Sequence, residues 1–138
     1  MKTDNDIKND VYAILKGSSL GTEVTGSIRK YDRAPGSTKE DVIISVLANE
    51  SPRQTQEAFV NVNIYVKDLK LKAGNDYYHA ENTLRTEQLS RVVANLFESA
   101  VIGESYRITL DRQRVIAVEP THEHCISSRL LYQCINEK

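Results

Sequence analysis

The segment Glu57–Val66, EAFVNVNIYV, constrains the fold more than any other part of the chain. Val60, Val62, Ile64 and Val66 alternate with Phe59, Asn61, Asn63 and Tyr65. A period of two in β-branched residues marks a strand with one buried face. The second face is not a plain charged surface, because two amides and two aromatics suit a solvated sheet or the docking surface of a partner. Phe59, Asn61, Asn63 and Tyr65 make up that second face. The strand fixes a half-buried sheet in the middle of the chain, with the two strongest helical patterns on either side of it.

The first helix is expected over Asp4–Lys16, where Ile7, Val11, Ile14 and Leu15 form one apolar stripe. Thr3 caps it with Asp6 as capping-box partner, Gly17 ends it, and Ser18, Ser19 and Gly21 turn the chain out. A strand is expected over Glu23–Tyr31, then a breaker-rich loop, Asp32–Glu40. Asp41–Ala48 is apolar on both alternating faces, which reads as a central strand. Asn49–Gln56 has no apolar residue and one proline, so it reads as an exposed hairpin loop. Lys67–Asn82 is long for a connection and reads as a functional loop, a partly helical lead-in, or both.

A second helix is expected over Thr83–Ala100, with Leu89, Val92, Val93, Leu96, Phe97 and Ala100 on one stripe and Gly103 stopping it. Ser105–Asp111, Arg114–Glu119 and His124–Asn136 read as three closing strands. The sum is a single α+β domain over residues 1–138, with two amphipathic helices packed on one face of a mostly antiparallel sheet.

At 138 residues the chain can bury a core without metal or disulfide staples. Lys and Arg total 18 against 19 Asp and Glu, and the net charge of −1 gives no general attraction to nucleic acid or anionic membrane. No run approaches a membrane span and MKTDNDIKND has no apolar signal core, so a soluble protein made in the cytoplasm is expected. Cys125 and Cys134 would lie roughly 30 Å apart on one strand, too far to bridge, and read as reduced, partly buried thiols.

Local features that carry chemistry elsewhere read plainly here. His122, His124 and Cys125 are ligands by type, but a closed zinc site needs four and His79 is the only other histidine. On a strand, His122 and His124 would share a face that Cys125 does not, so a turn with exposed histidines is expected and no metal is assigned. Tyr77, Tyr78 and His79 could stack on bases or line a cleft. Without a basic groove around them, Tyr77 and Tyr78 read as helix-start packing or a subunit contact. Arg107, Arg112, Arg114 and Arg129 form a strip interrupted by Asp111, Glu119 and Glu123, which reads as solvated cross-strand ion pairs. No nucleophile elbow, phosphate-binding loop or dinucleotide turn is present, and no carboxylate sits beside a histidine within an apolar run. No catalytic residue or cofactor is assigned, and the chain is not read as an enzyme.

The opening helix DIKNDVYAIL, the strand FVNVNIYV entering a polar loop, the helix LRTEQLSRVVANLF and the closing RVIAVEPTHEHCISSRLLYQCIN resemble the tail-terminator (tail-completion) family of minor tail proteins from long-tailed bacteriophages and prophages. The resemblance covers most of the chain as pattern and rests on no single diagnostic motif. It implies a non-enzymatic, structural role in virion assembly: a homo-oligomeric ring, commonly a hexamer, that caps the tail tube and joins it to the head connector. The partners implied are the tail-tube and head-connector proteins, with no direct nucleic-acid readout and no membrane. The location implied is the bacterial cytoplasm during assembly and the virion tail thereafter. A ring needs two different complementary patches on each subunit; under the resemblance the face of Phe59, Asn61, Asn63 and Tyr65 is the candidate subunit interface for one, and the loops Asp32–Glu40 and Lys67–Asn82 are expected to reach the neighbour or the tube below. The alternative is a host-encoded small-ligand or peptide-binding α+β module, with a cleft between the second helix and the sheet and Tyr77, Tyr78 and His79 at its mouth.

Overall fold

In chain order, the elements of the computed structural model are α1 (Asp4–Lys16), α2 (Leu20–Glu23), β1 (Ile28–Arg29), β2 (Val42–Glu50), β3 (Thr55–Lys67), β4 (Leu69–Ala73) and β5 (Asp76–Ala80). They continue with α3 (Thr83–Leu96), β6 (Val101–Ile102), β7 (Tyr106–Val118), a 3-10 turn (Glu119–Thr121) and β8 (Glu123–Ile135). The structure describes residues 1–50 and 54–135. One sheet runs β1-β2-β3-β8-β7-β6, antiparallel except for the two-residue pairing of β1 with β2, and β4 and β5 form a separate hairpin. The architecture is the α+β layout expected from the sequence.

The long register of β3 on β8, from Thr55↔Ile135 to Lys67↔Glu123, sets which residues share a face. Val60, Val62, Ile64 and Val66 are buried, and Ile126, Leu130 and Tyr132 continue the same layer on β8. Ile7, Val11 and Leu15 of α1 and Leu89 and Val93 of α3 complete the core. Each such side chain contributes about 1.5–3 kcal/mol by leaving water. Polar groups inside this layer are satisfied. The Tyr132 hydroxyl donates to Asp10 at 2.7 Å, and the Gln113 amide donates to Ser128 Oγ and to the Ser90 carbonyl, both at 3.1 Å, tying β7 to α3.

The capping box at Thr3 and Asp6 forms as the sequence indicates, with both reciprocal bonds present. Several boundaries differ from the sequence reading, each for a local reason. The strand expected over Glu23–Tyr31 shrinks to Ile28–Arg29, because Ser18 to Glu23 wind into α2 before the chain extends. The strand expected to be central lies next to the short β1, with most of its outer edge outside that pairing. A bulge at Leu47 leaves that side chain 55% exposed despite the apolar run. Residues of the expected exposed loop 49–56 extend both strands, and Gln56 is fully buried. Its amide donates to the Lys2 carbonyl and its Oε1 accepts from the Lys2 N–H. Ser51, Pro52 and Arg53 of that loop lie outside the described residues, as does Asn136 at the end of the last expected strand.

The helix expected to reach Ala100 ends at Leu96. Phe97 leaves helical dihedrals at φ −110°, ψ 19° and turns its ring into the core, while Leu96 is only partly buried. The two strands expected over residues 105–119 are one, β7, broken in pattern but not in pairing by a bulge at Asp111. The connection 67–82 is the β4–β5 hairpin, whose two-residue turn places Gly74 at φ +65°. Cys125 and Cys134 are free, buried and on opposite faces of β8.

Candidate functional site

The bulge at Asp111 shapes the face of the sheet that the helices leave open. Before it, Ile108 and Leu110 point to the helix side of the sheet; after it, Gln113 and Val115 do, so Arg112, Arg114 and Ile116 point to the open face. There they join Phe59, Asn61, Asn63 and Tyr65 of β3 with Ser127 and Arg129 of β8. Phe59, Asn61, Asn63 and Tyr65 share this face as expected, yet all four are half-buried although no helix covers them. Part of the cover is Arg33 over Tyr65 and Arg129 over Phe59, and Asn61 sits in a shallow hollow. One concavity of about 190 Å³ has Leu47 and Ile116 at its margins and Asn61 and Ser127 between them. These residues lie on four successive strands, about 14 Å across in a flat sheet. The sheet curls toward its open face and makes a trough.

The loop after β1 closes one end of this trough. Arg33 stacks on the Tyr65 ring at 4.3 Å, forks onto both Glu123 oxygens at 2.9 and 3.0 Å, and reaches Asp41 Oδ2 at 3.1 Å. It also donates to the Ser37 and Lys39 carbonyls, and the Ser37 hydroxyl donates to Asp41. Burial pushes the Asp41 and Glu123 carboxyls up, but these hydrogen bonds outweigh it and both end below their ordinary values. Within the subunit, Arg33 folds the loop 32–40 back onto its own sheet and covers Tyr65. Its end is fixed a second time, because Glu40 accepts a fork from Arg85 of α3, two bonds of 2.7 Å.

Along β7 the charge is less balanced. Arg129 pairs with Asp111 at 2.6 Å and lies over Phe59 at 4.8 Å, the cross-strand ion pair expected from the sequence. Arg112 sits directly opposite Arg129 in register and Arg114 lies opposite Ser127. Neither Arg112 nor Arg114 forms an ion pair among the described residues.

At this same end of β3, directly after Lys67, stands the β4–β5 hairpin. Leu69, Leu71, Tyr77 and Tyr78 are all exposed, Tyr77 at 60% and Tyr78 at 49%. Lys70 and Lys72 lie over the Tyr77 ring at 4.9 and 5.8 Å. The tyrosines therefore do not pack on the start of α3. Nor do they guard a cleft between α3 and the sheet, since Leu89 and Val93 fill that space at 0% exposure.

The hairpin base is held by the histidines. His79 stacks on His122 at 3.8 Å between ring centroids, His122 adopts a left-handed turn at φ 54°, and its carbonyl accepts from Asp68 N–H at 2.9 Å. His124 Nδ1 meets Asp68 Oδ1 at 2.6 Å, with Glu81 3.7 Å away on the other ring nitrogen. The sequence shows no carboxylate beside a histidine within an apolar run. Asp68 and His124 are 56 residues apart, and only the β3–β8 register brings them together. No group of three or more His, Cys, Asp or Glu side chains among the described residues is arranged to hold a metal ion.

Sequence reasoning missed the Arg33 latch and the separation of Arg112 and Arg114 from acidic partners, both of which depend on strand order. The hairpin had a signal, Gly74-Asn75 between two alternating runs. Among the described residues no helix is long and apolar enough to cross a membrane. Comparison with protein-family models gives no match for this chain, and no curated protein matches it.

Proposed function

We propose that this chain is a structural assembly subunit of the tail-terminator kind, which closes into a homo-oligomeric ring, caps a phage tail tube and meets the head connector. The observation that carries the reading is the β4–β5 hairpin, a ribbon anchored at its base and exposed along its length with two leucines and two tyrosines in water. A two-stranded ribbon is marginal alone, and exposed aromatic and aliphatic side chains on a presented edge are the usual material of interface anchors. A second, different surface is the outer edge of β7. β6 pairs only with Arg107 and Ile108, and Val115 and Ile116 beyond it are 39% and 40% exposed. Two unlike patches on one subunit are what a heterologous, closing assembly requires. The α+β layout also agrees with the fold the family resemblance implies.

The test is a triple substitution, Leu71→Ser with Tyr77→Ser and Tyr78→Ser, assayed by light scattering beside thermal melting. The reading expects the parent to form a defined oligomer and the variant to remain folded with a Tm within a few degrees but sediment as a monomer. An oligomer of unchanged mass in the variant would remove the hairpin from the interface.

A further inference from the structure

We infer that the arginine wall of the open-face trough is a binding site for phosphoryl groups, such as those of an oligophosphate or of a single-stranded polynucleotide backbone. Three guanidiniums, those of Arg112, Arg114 and Arg129, line one concavity and are served by one carboxylate, Asp111. Arg112 and Arg129 are registered cross-strand partners, a placement in which like charges repel. Nothing in the core requires it, because both side chains are on the face without helices. An anion seated between them removes the repulsion.

The rest of the lining suits such an anion. Ser127 and Asn61 place a hydroxyl and an amide on the floor within the same concavity, both half-buried and able to donate to oxygen. At the latch end of this face Arg33 is neutralised by Asp41 and Glu123. The hollow itself carries its positive charge on the β7 side, from Arg112 and Arg114, with Arg129 beside them on β8. Its chemistry is that of planar forks, which match the paired oxygens of a phosphate better than a point charge does. The bulge at Asp111 is what aims them there; without it Arg112 and Arg114 would point to the helix side. The overall charge of −1 does not oppose this, since a local cluster within a concave wall acts within a Debye length of about 8 Å at physiological salt.

The site goes beyond the assembly role and stands without it. It is tested by titrating the full chain with tripolyphosphate, a fluorescent oligothymidylate and an oligoglutamate of equal charge, by calorimetry and anisotropy at several salt concentrations. The expected result is saturable binding of one or both phosphate probes, with the oligoglutamate at least tenfold weaker. Arg112→Gln with Arg114→Gln should weaken phosphate binding tenfold or more and lower the salt slope for the oligonucleotide by about 1.4, the share of two lost phosphate contacts. Binding of tripolyphosphate alone assigns a small-phosphate site; a preference for the oligothymidylate assigns a polynucleotide backbone.

Arg112 and Arg114 are both exposed on β7, so the double variant should melt no lower than the parent. If it does, Lys70→Gln with Lys72→Gln serves as a folded control for charge alone and must leave binding unchanged. No phosphate binding by the parent at millimolar concentration, equal binding by the Arg112/Arg114 variant, or an oligoglutamate that binds as well as the phosphates would each overturn the inference.

Discussion

Replacing Arg33 by leucine tests how the open face is held, and the structure gives the size of the effect. The guanidinium makes hydrogen bonds to Asp41, both oxygens of Glu123 and two loop carbonyls, and covers Tyr65. Side chains of Asp41 and Glu123 are only 5% and 3% exposed, so leucine leaves two buried carboxylates facing each other without their cation. Removing one partner of a buried ion pair costs about 3–5 kcal/mol. Asp41 keeps the Ser37 hydroxyl and the Ser27 N–H, which argues for the lower end. At ~4 °C per kcal/mol for a chain of this size, the Tm should fall by about 12 °C at pH 7.

The pH dependence follows from the direction of the shifts. Folded-state values of Asp41 and Glu123 lie below the ordinary carboxylate range. Their contribution to stability is therefore complete above about pH 5 and lost as the pH falls through the folded values. In the leucine variant the cation no longer offsets burial, and only Ser37 and Ser27 at Asp41 and Thr121 at Glu123 still oppose it, so acid relieves part of its penalty. Parent and variant should converge as the pH drops from 7 toward 3. Differential scanning calorimetry at four pH values reads this. An unchanged Tm at pH 7, or a gap that widens in acid, would refute the argument.

Leu89→Asp should cost several kcal/mol and yield insoluble or unfolded protein, whereas Leu96→Asp, at a partly buried position, should cost clearly less; melting curves of the two variants decide the order. Burial pushes the Cys125 thiol up to about 11 and Cys134 also upward, so a thiol reagent at pH 8 should react slowly with native protein and quickly with two thiols in denaturant; one fast native thiol would contradict the placement of β8. Gly103 lies against the face of Tyr106, which stacks on Tyr132 at 5.4 Å, so Gly103→Ala must displace that ring and should lower the Tm by several degrees. Tyr65→Glu should destabilise the subunit rather than only its contacts, because the ring supports Arg33; equal stability would show that the latch does not need it.

The alternation in Glu57–Val66 was sufficient to place the core layer, because a period of two is a local property and the strand pairs without interruption along its length. The capping box was legible for the same reason. Bulges were not. A single extra residue at Leu47 or Asp111 reverses every later side chain, and nothing in DVIISVLA or YRITLDRQRV marks where that residue falls. Asp111 therefore looked like a break between two strands, and the common face of Arg112, Arg114 and Arg129 stayed hidden. Long-range polar pairs were equally beyond reach: Arg33 meets Glu123 across 90 residues and Gln56 meets Lys2 across 54. Such contacts turn polar residues in apparently exposed segments into buried anchors, which is why the loops 32–40 and 49–56 read as more exposed than they are.

The central claim is assembly through the β4–β5 hairpin, and the mass of the untagged chain in solution tests it most directly. Light scattering across a concentration series should give one fixed multiple of the 15.6 kDa subunit, seen as rings by electron microscopy and lost on serine substitution of Leu71, Tyr77 and Tyr78. A mass of one subunit at every concentration, with the parent and the hairpin variant indistinguishable, would contradict it.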